Sequence, residues 1–329
     1  MATIGNNVAT LTDHLKRLDP NGNVAHVIEL LSRNNPLVQD MLWKEGNLPT
    51  GHRVTSRTAL PAPRFRRLNE GVERSKSTTE QFDEACAIMD AYTAVDTKLA
   101  ALNGNTAAFL ASEEVAFVEA MFNDLETGMF YSNVATSPEA FQGLAPRLNS
   151  TTGRAGSQIV KADSGASGND QTSIYGVVWG ERSVTGIFPK GSKAGIQRTP
   201  LQDEMVDDGT GKEYLAHRAH WSLQPGLAVE DYRQVVRVAN IDTSALSASA
   251  DNIIPAMIDA YYRINKPQGG KLIWYANRRV QTYLHLQARN AVKNSTLSIE
   301  IFDGKPVTTF LGSPIRISDG ILNTESVVS

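Results

Sequence analysis

The sequence predicts an α+β chain, with helices and strands in separate runs rather than regular alternation. Three observations carry this. A helical stripe of Val118, Met121, Phe122 and Leu125 lies between polar segments. From Ser173 to Ile241 the apolar residues fall instead into short strand-like runs divided by turn residues. After Ile253, helix, strand and hairpin signals return once more.

The amino-terminal elements come first. Asp13 to Leu18 reads as a short helix. Asn23 can cap a second, where Val24, Val27, Ile28 and Leu31 share a face and Asn34-Asn35-Pro36 ends it. Met41, Leu42 and Trp43 form an apolar knot. From Arg53 to Lys76 seven basic residues stand against Glu70 and Glu73, with Pro61 and Pro63 between them. An extended hairpin with edge prolines fits this stretch, and so does a solvated basic loop. Thr78 to Leu102 suits a helix by Phe82, Ala85, Met89 and Leu99, and a strand by Thr79, Ile88, Thr93 and Val95. Glu113 to Thr127 is helical, with Ser112 as the expected N-cap and Gly128 beyond its end.

Residues 149–173 are rich in Ser, Thr, Gly and Asn and read as a long surface loop. Strands are expected over Ser173–Gly180, Ser183–Pro189, Tyr214–Leu223 and Tyr232–Ile241, with a turn at 207–211. Ile253–Ile264 is helical, since Pro255 is tolerated in a first turn. Lys271–Tyr275 is a buried strand and Arg278–Asn290 a helix. Asp303-Gly304 joins two further strands, and Ile315 and Ile317 mark the last.

Composition excludes several classes. The 329 residues leave room for about two domains. Hydrophobic residues at 41% and charged residues at 20% exclude wholesale disorder. The single cysteine, Cys86, excludes an intrachain disulfide and a cysteine-rich zinc site, and its apolar surroundings suggest an inert thiol. No basic segment followed by an apolar one opens the sequence, and no run of about 18 uncharged apolar residues occurs. Neither a secretory signal nor a membrane span is expected.

No catalytic constellation emerges. Gly186 to Lys193 looks like a phosphate loop, but Ser192 stands where Lys must follow the second glycine, and Pro189 removes a cradle amide. His217 and His220 would face opposite sides of a strand, which argues against a shared metal. His14, His26, His52 and His285 are scattered. No G-x-S-x-G elbow is present. The carboxylate pairs Glu113-Glu114 and Asp207-Asp208 suit a first helical turn and a loop turn. Asn149-Ser-Thr and Asn294-Ser-Thr match the glycosylation pattern by chance. No enzyme, cofactor or metal is expected.

The order of elements resembles the major capsid proteins of tailed bacteriophages with the HK97-type fold. The residues that carry the resemblance are the run TTEQFDEACAIMDAYTAVDTKLAALNGNTAAFLASEE from Thr78 to Glu114 and Phe130-Tyr-Ser-Asn133 after it. To these add Phe141-Gln-Gly-Leu144, Thr172-Ser-Ile-Tyr-Gly-Val-Val-Trp-Gly180, and Phe310 to Asp319 with Gly312-Ser-Pro314 inside it. The resemblance implies an HK97-like α+β fold in five parts: an N-terminal arm (1–35), an extended loop (36–80), a peripheral domain with a long spine helix (81–149), an axial domain (150–270) and a return to the peripheral domain (271–329). It favours strand for part of Thr78–Val95. It implies a non-enzymatic subunit that self-assembles, as hexamers and pentamers, into the icosahedral shell around a double-stranded DNA genome. The DNA would be held without sequence-specific contacts. Portal, scaffolding and decoration proteins are the implied further partners, and no membrane is involved. The place is the virion capsid, assembled in the bacterial host cytoplasm. Some relatives cross-link Lys to Asn; no paired environment for that chemistry is evident, so non-covalent assembly is expected.

Charge gives this reading a mechanism. The stretch 53–76 carries +5 within a chain of net charge −3, so the remainder carries −8. A basic hairpin reaching over an acidic neighbour fixes register by complementarity. Arg53, Arg57, Arg64, Arg66 and Arg67 are the expected inter-subunit contacts. The alternative is a nucleic-acid-binding protein using the hairpin 53–76 against phosphates, although Phe65 is its one aromatic residue.

Overall fold

The computed structural model describes residues 33–329 apart from 103, 105, 164–165, 208–210, 245, 247–252, 266–269, 291–296 and 303–304. The helices expected before residue 32, His14, His26, the turn residues 208–210 and 303–304, and Asn294 lie outside these residues.

Pro36 starts a short helix, α1 (Pro36–Asp40), followed by β1 (Trp43–Glu45), β2 (Gly51–Ala59), β3 (Thr78–Ala85) and β4 (Met89–Asp96). The ambiguous stretch 78–102 is thus two strands. It closes in the single turn α2 (Thr97–Ala100), where the Asp96 carboxylate accepts from Lys98 N at 2.7 Å. The long helix α3 (Thr106–Tyr131) then begins a full turn and a half before the expected cap. Ala107, Ala108 and Leu110 are strong helix formers, so Ser112 and the Glu113-Glu114 pair sit inside the helix rather than at its start. Gly128 is also internal. A Cβ there would meet Ser132 Oγ at 3.0 Å and the Phe141 ring at 3.5 Å, so close packing asks for a glycine that helix propensity would not.

After α4 (Leu144–Arg147) come β5 (Ile159–Lys161), β6 (Gln171–Trp179), β7 (Val184–Phe188), β8 (Gln197–Pro200), β9 (Glu204–Asp207), β10 (Glu213–Leu223), β11 (Gly226–Val229) and β12 (Val235–Asp242). The chain ends with α5 (Ile253–Arg263), β13 (Lys271–Ala276), α6 (Arg278–Asn290), β14 (Leu297–Phe302), β15 (Lys305–Phe310) and β16 (Ser313–Ile317). The polar stretch 149–173 is not all surface loop. Its Ile159 and Val160 are buried in β5, which pairs in parallel with β12.

Packing divides the described residues into two compact units. One holds Arg33, Ile88–Glu126 and Lys193–Gln224. Its four-stranded sheet runs β4-β10-β8, with β9 also on β10, and Val95, Ala100 and Phe109 form its core cluster. The other holds Asn34–Ala87, Thr127–Ser192 and Pro225–Ser329. Its ten-stranded mixed sheet includes the path β1-β7-β6-β13-β16-β15-β14. All nine positions of β6 are buried, because both faces of the sheet are covered. On one face Ile253, Met257 and Ala260 of α5 and Val280 and Leu284 of α6 pack on Val236, Val238, Leu272 and Trp274. On the other, Phe130 lies 5.1 Å from the Tyr175 ring. The antiparallel ribbon β2–β3 belongs to this second unit.

Candidate functional site

The ribbon β2–β3 pairs from Gly51↔Ala85 out to Ala59↔Thr78, with an irregularity near its end. Residues 60–77 beyond it pair with no strand. They are exposed almost without exception, Phe65 at 110% and Leu68 at 95%. The basic stretch is therefore a projecting ribbon with a long, water-facing tip.

The five arginines singled out above do not share one environment. Arg53 lies on β2 opposite Asp83 and makes two bonds to it, at 2.6 and 2.7 Å. That bond raises the guanidinium further and holds the Asp83 carboxyl below its usual range. Arg64 is 4.0 Å from Glu73 across the tip, and Arg66 donates to the Glu70 carbonyl at 3.3 Å. The side chains of Arg57 and Arg67 have no partner among the described residues. Arg57 and Arg67 are thus unengaged, and Arg64 and Arg66 are tied only to exposed groups of the tip itself.

The root of the ribbon is held by groups that no local pattern in the sequence announces. Glu84 of β3, buried, forms a bidentate pair with Arg147 of α4 at 2.5 and 2.6 Å. Arg147 also donates to the carbonyls of Gln142 and Leu227. Arg154 bonds Glu80 and Ser56 at 3.1 Å each and lies over the rings of Phe82 and Tyr232. His52, buried at the root, is pushed below its ordinary imidazole value by burial and by Lys44, against the pull of Glu230 and Glu84. The pairs Glu84–Arg147, Glu80–Arg154 and His52–Glu230 join residues 63, 74 and 178 apart in sequence, so only the fold brings them together.

A second buried cluster anchors the last residues of the chain. Arg237 of β12 donates to Glu325 at 2.9 Å, to Ser173 at 2.9 Å and to the Leu148 carbonyl at 2.7 Å. Glu325 also accepts from Tyr131, Ser173 and Tyr175. Burial, with the Glu325 charge beside them, raises both tyrosine hydroxyls beyond their usual range. Burial opposes the Arg237 charge, but Tyr175 and Glu325 outweigh it.

Among the described residues the candidate reactive groups do not come together. Among the described residues no three His, Cys, Asp or Glu side chains come together as a metal site. His217 pairs with Asp203 at 2.5 Å, and His220 lies 3.1 Å from Asp90 and stacks on Tyr92; they share no ligand. The glycine-rich turn after β7 is not followed by a helix, and its Gly191 amide is taken by Glu45 at 2.8 Å. Cys86 is half-buried, with its thiol pushed up to about 11 by burial.

The charge separation is spatial as well as sequential. Residues 88–126 and 193–224 carry twelve acidic and five basic side chains, a net of −7, against +5 for 53–76.

The family described as major capsid protein GP7 matches residues 19–329. Comparison with curated proteins gives no match. Among solved structures, a chain in a near-atomic resolution structure of bacteriophage epsilon15 is 35% identical with a TM-score of 0.78. The match covers 100% of this chain and 99% of that one. A chain of the bacteriophage JBD30 capsid is 7% identical with a TM-score of 0.48, covering 77% of this chain and 82% of that one. One of the holo-SrpI encapsulin complex from Synechococcus elongatus is 12% identical with a TM-score of 0.49, covering 68% and 93%.

Proposed function

Because this chain belongs to the major capsid protein GP7 family and is a structural subunit of a tailed-phage capsid shell with the HK97-type fold, we propose that its basic ribbon ties neighbouring copies together. The subunit is not an enzyme, and assembly from many copies is its activity. The family lends no support to a nucleic-acid-binding protein as the alternative.

The observation that carries the reading is the tip 60–77, exposed and unpaired within its own chain. A shell needs one surface of each copy to meet a different surface of the next until the contacts close. Arg57, Arg64, Arg66 and Arg67 supply the mobile positive charge for that contact, and Arg53, tied to Asp83, stiffens the ribbon that presents them. The acceptor is the acidic remainder of a neighbour, most of whose excess lies in 88–126 and 193–224.

On this reading 1–35 is the arm and 36–80 the extended loop. The spine helix α3 with the four-stranded sheet takes the peripheral role. The resemblance implies an axial domain over 150–270 and a return to the peripheral domain over 271–329; we depart from it by giving the axial role to the ten-stranded body and grouping 271–317 with it, because β13 pairs with β6 and β16. Hexamers and pentamers close the shell around double-stranded DNA held without sequence-specific contacts. Portal, scaffolding and decoration proteins complete it in the bacterial cytoplasm.

The test is Arg66→Glu with Arg67→Glu, two exposed positions. Negative-stain microscopy is expected to find no closed shells while circular dichroism stays that of the parent. Normal particles would sink the proposal.

A further inference from the structure

Resting on the shell reading, the structure points to a specific anchor for the ribbon tip. We propose that Phe65 of one copy inserts into a pocket at the ribbon root of the next copy. The pocket has a volume of about 240 Å³ and lies beneath β3. Its walls are Phe82, Leu144, Leu148, Val229, Tyr232 and Val235, most of them buried, and its lining is mainly apolar. A dry apolar cavity of roughly 150 Å³ already accepts benzene, so a phenyl ring fits here.

The charges at the pocket suit an uncharged ring. Glu84 and Arg147 neutralise each other, Glu230 pairs with Lys44, and Arg154 is held by Glu80 with its guanidinium against two aromatic faces. An entering phenyl group extends that cation–π contact. Arg147 contributes one more feature: its Nε–H is buried without an acceptor, while its other nitrogens are engaged. The backbone carbonyl of an inserted segment would supply that acceptor.

The occupant is assigned to a second copy because Phe65 stands outside the pocket in its own chain. Phe82 in the pocket faces Val54 across the ribbon, and Phe65 lies eleven residues farther along the chain. That segment reaches up to about 36 Å when extended, and Phe65 is fully exposed in its own chain. Phe65 is also the only aromatic residue from 53 to 76. Tip-to-root insertion is a heterologous contact, the kind that propagates around a ring and closes it.

The experiment replaces Phe65 by p-benzoylphenylalanine, irradiates assembled particles, and maps the products by mass spectrometry after mixing isotopically light and heavy chains. Crosslinks between different copies, from position 65 to 144–155 or 229–235, are expected. They should be absent from unassembled subunits. Crosslinks to other segments, crosslinks within one chain, or none at all in intact particles would overturn the pocket and leave the shell reading standing. Failure of the unmodified chain to form shells would instead remove the reading beneath it. Phe65→Ala, at a position too exposed to matter for folding, is expected to cut shell yield at least tenfold. Yield equal to the parent would also overturn the proposal.

Discussion

Removing Glu325 tests how the last residues of the chain are held. In Glu325→Ala the Arg237 guanidinium stays where it is, 5% exposed, but its counter-charge, itself 4% exposed, is gone. An uncompensated buried charge costs about 3–5 kcal/mol, several times an exposed ion pair. The hydroxyls of Tyr131, Ser173 and Tyr175 lose an acceptor at the same time. With a urea dependence of about 3 kcal/mol per molar, the unfolding midpoint of the unassembled subunit should fall by about 1–1.7 M. Tryptophan fluorescence reports it, since Trp43, Trp179 and Trp274 lie in the same unit. Arg237→Met combined with Glu325→Ala should cost less than the sum of the two single changes, because the stranded charge is removed. A midpoint lowered by less than about 0.3 M in Glu325→Ala would mean that the pair acts like a surface one. The argument from burial would then fail.

Three further outcomes follow from the geometry. His52 binds its proton less readily folded than unfolded, so the unfolded chain holds more protons just below pH 6.5. Stability should therefore fall as pH drops through that region, and His52→Gln should flatten the dependence in denaturation curves taken from pH 7.5 to 5. Gly176→Ala would place a Cβ 2.8 Å from both Trp274 and Val236; a loss of about 1–3 kcal/mol by overpacking is expected in the same urea assay, and a neutral effect would refute the overpacking argument. Cys86, with its thiol near 11, should react with iodoacetamide at pH 8 about two hundredfold more slowly than an ordinary thiol of pKa near 8.5, measured by mass shift.

What the sequence discloses depends on whether the cause is local. The strand β6 was legible because a strand covered on both faces is apolar along its length, as Ile174 to Trp179 is. The ribbon 51–85 was legible by its prolines and its charge, although composition could not choose a hairpin over a loop. The start of α3 was not, because Thr106 to Ala111 is helical by propensity and lacks a stripe. The supports of the candidate site were not legible at all. Arg53 reads like the other arginines until the register sets it opposite Asp83, thirty residues on. Arg147 and Glu84 are 63 residues apart, and Arg237 and Glu325 are 88 apart. Such pairs carry no periodic signature, since only the closed fold makes them neighbours.

The two arginine clamps at the ribbon root bear on why the tip is so poorly covered. A two-stranded hairpin is marginal in water unless one face is packed. Here the packed part is the root, where Arg147 fixes Glu84 and Arg154 is held between Phe82 and Tyr232. Pairing lasts from Gly51 to Ala59 and then stops, although eighteen residues remain before Thr78. Those residues keep four large apolar side chains, Leu60, Phe65, Leu68 and Val72, in water. A monomer gains nothing from that arrangement, and a chain of ordinary design would replace them with polar residues. If the ribbon ties neighbouring copies together as proposed, the same residues are the surface that a neighbour covers, and the arginines around them keep the uncovered tip soluble until it does. On the proposed reading, exposed apolar area, surplus positive charge and missing strand partners are one feature: half of an interface whose other half the next copy would carry.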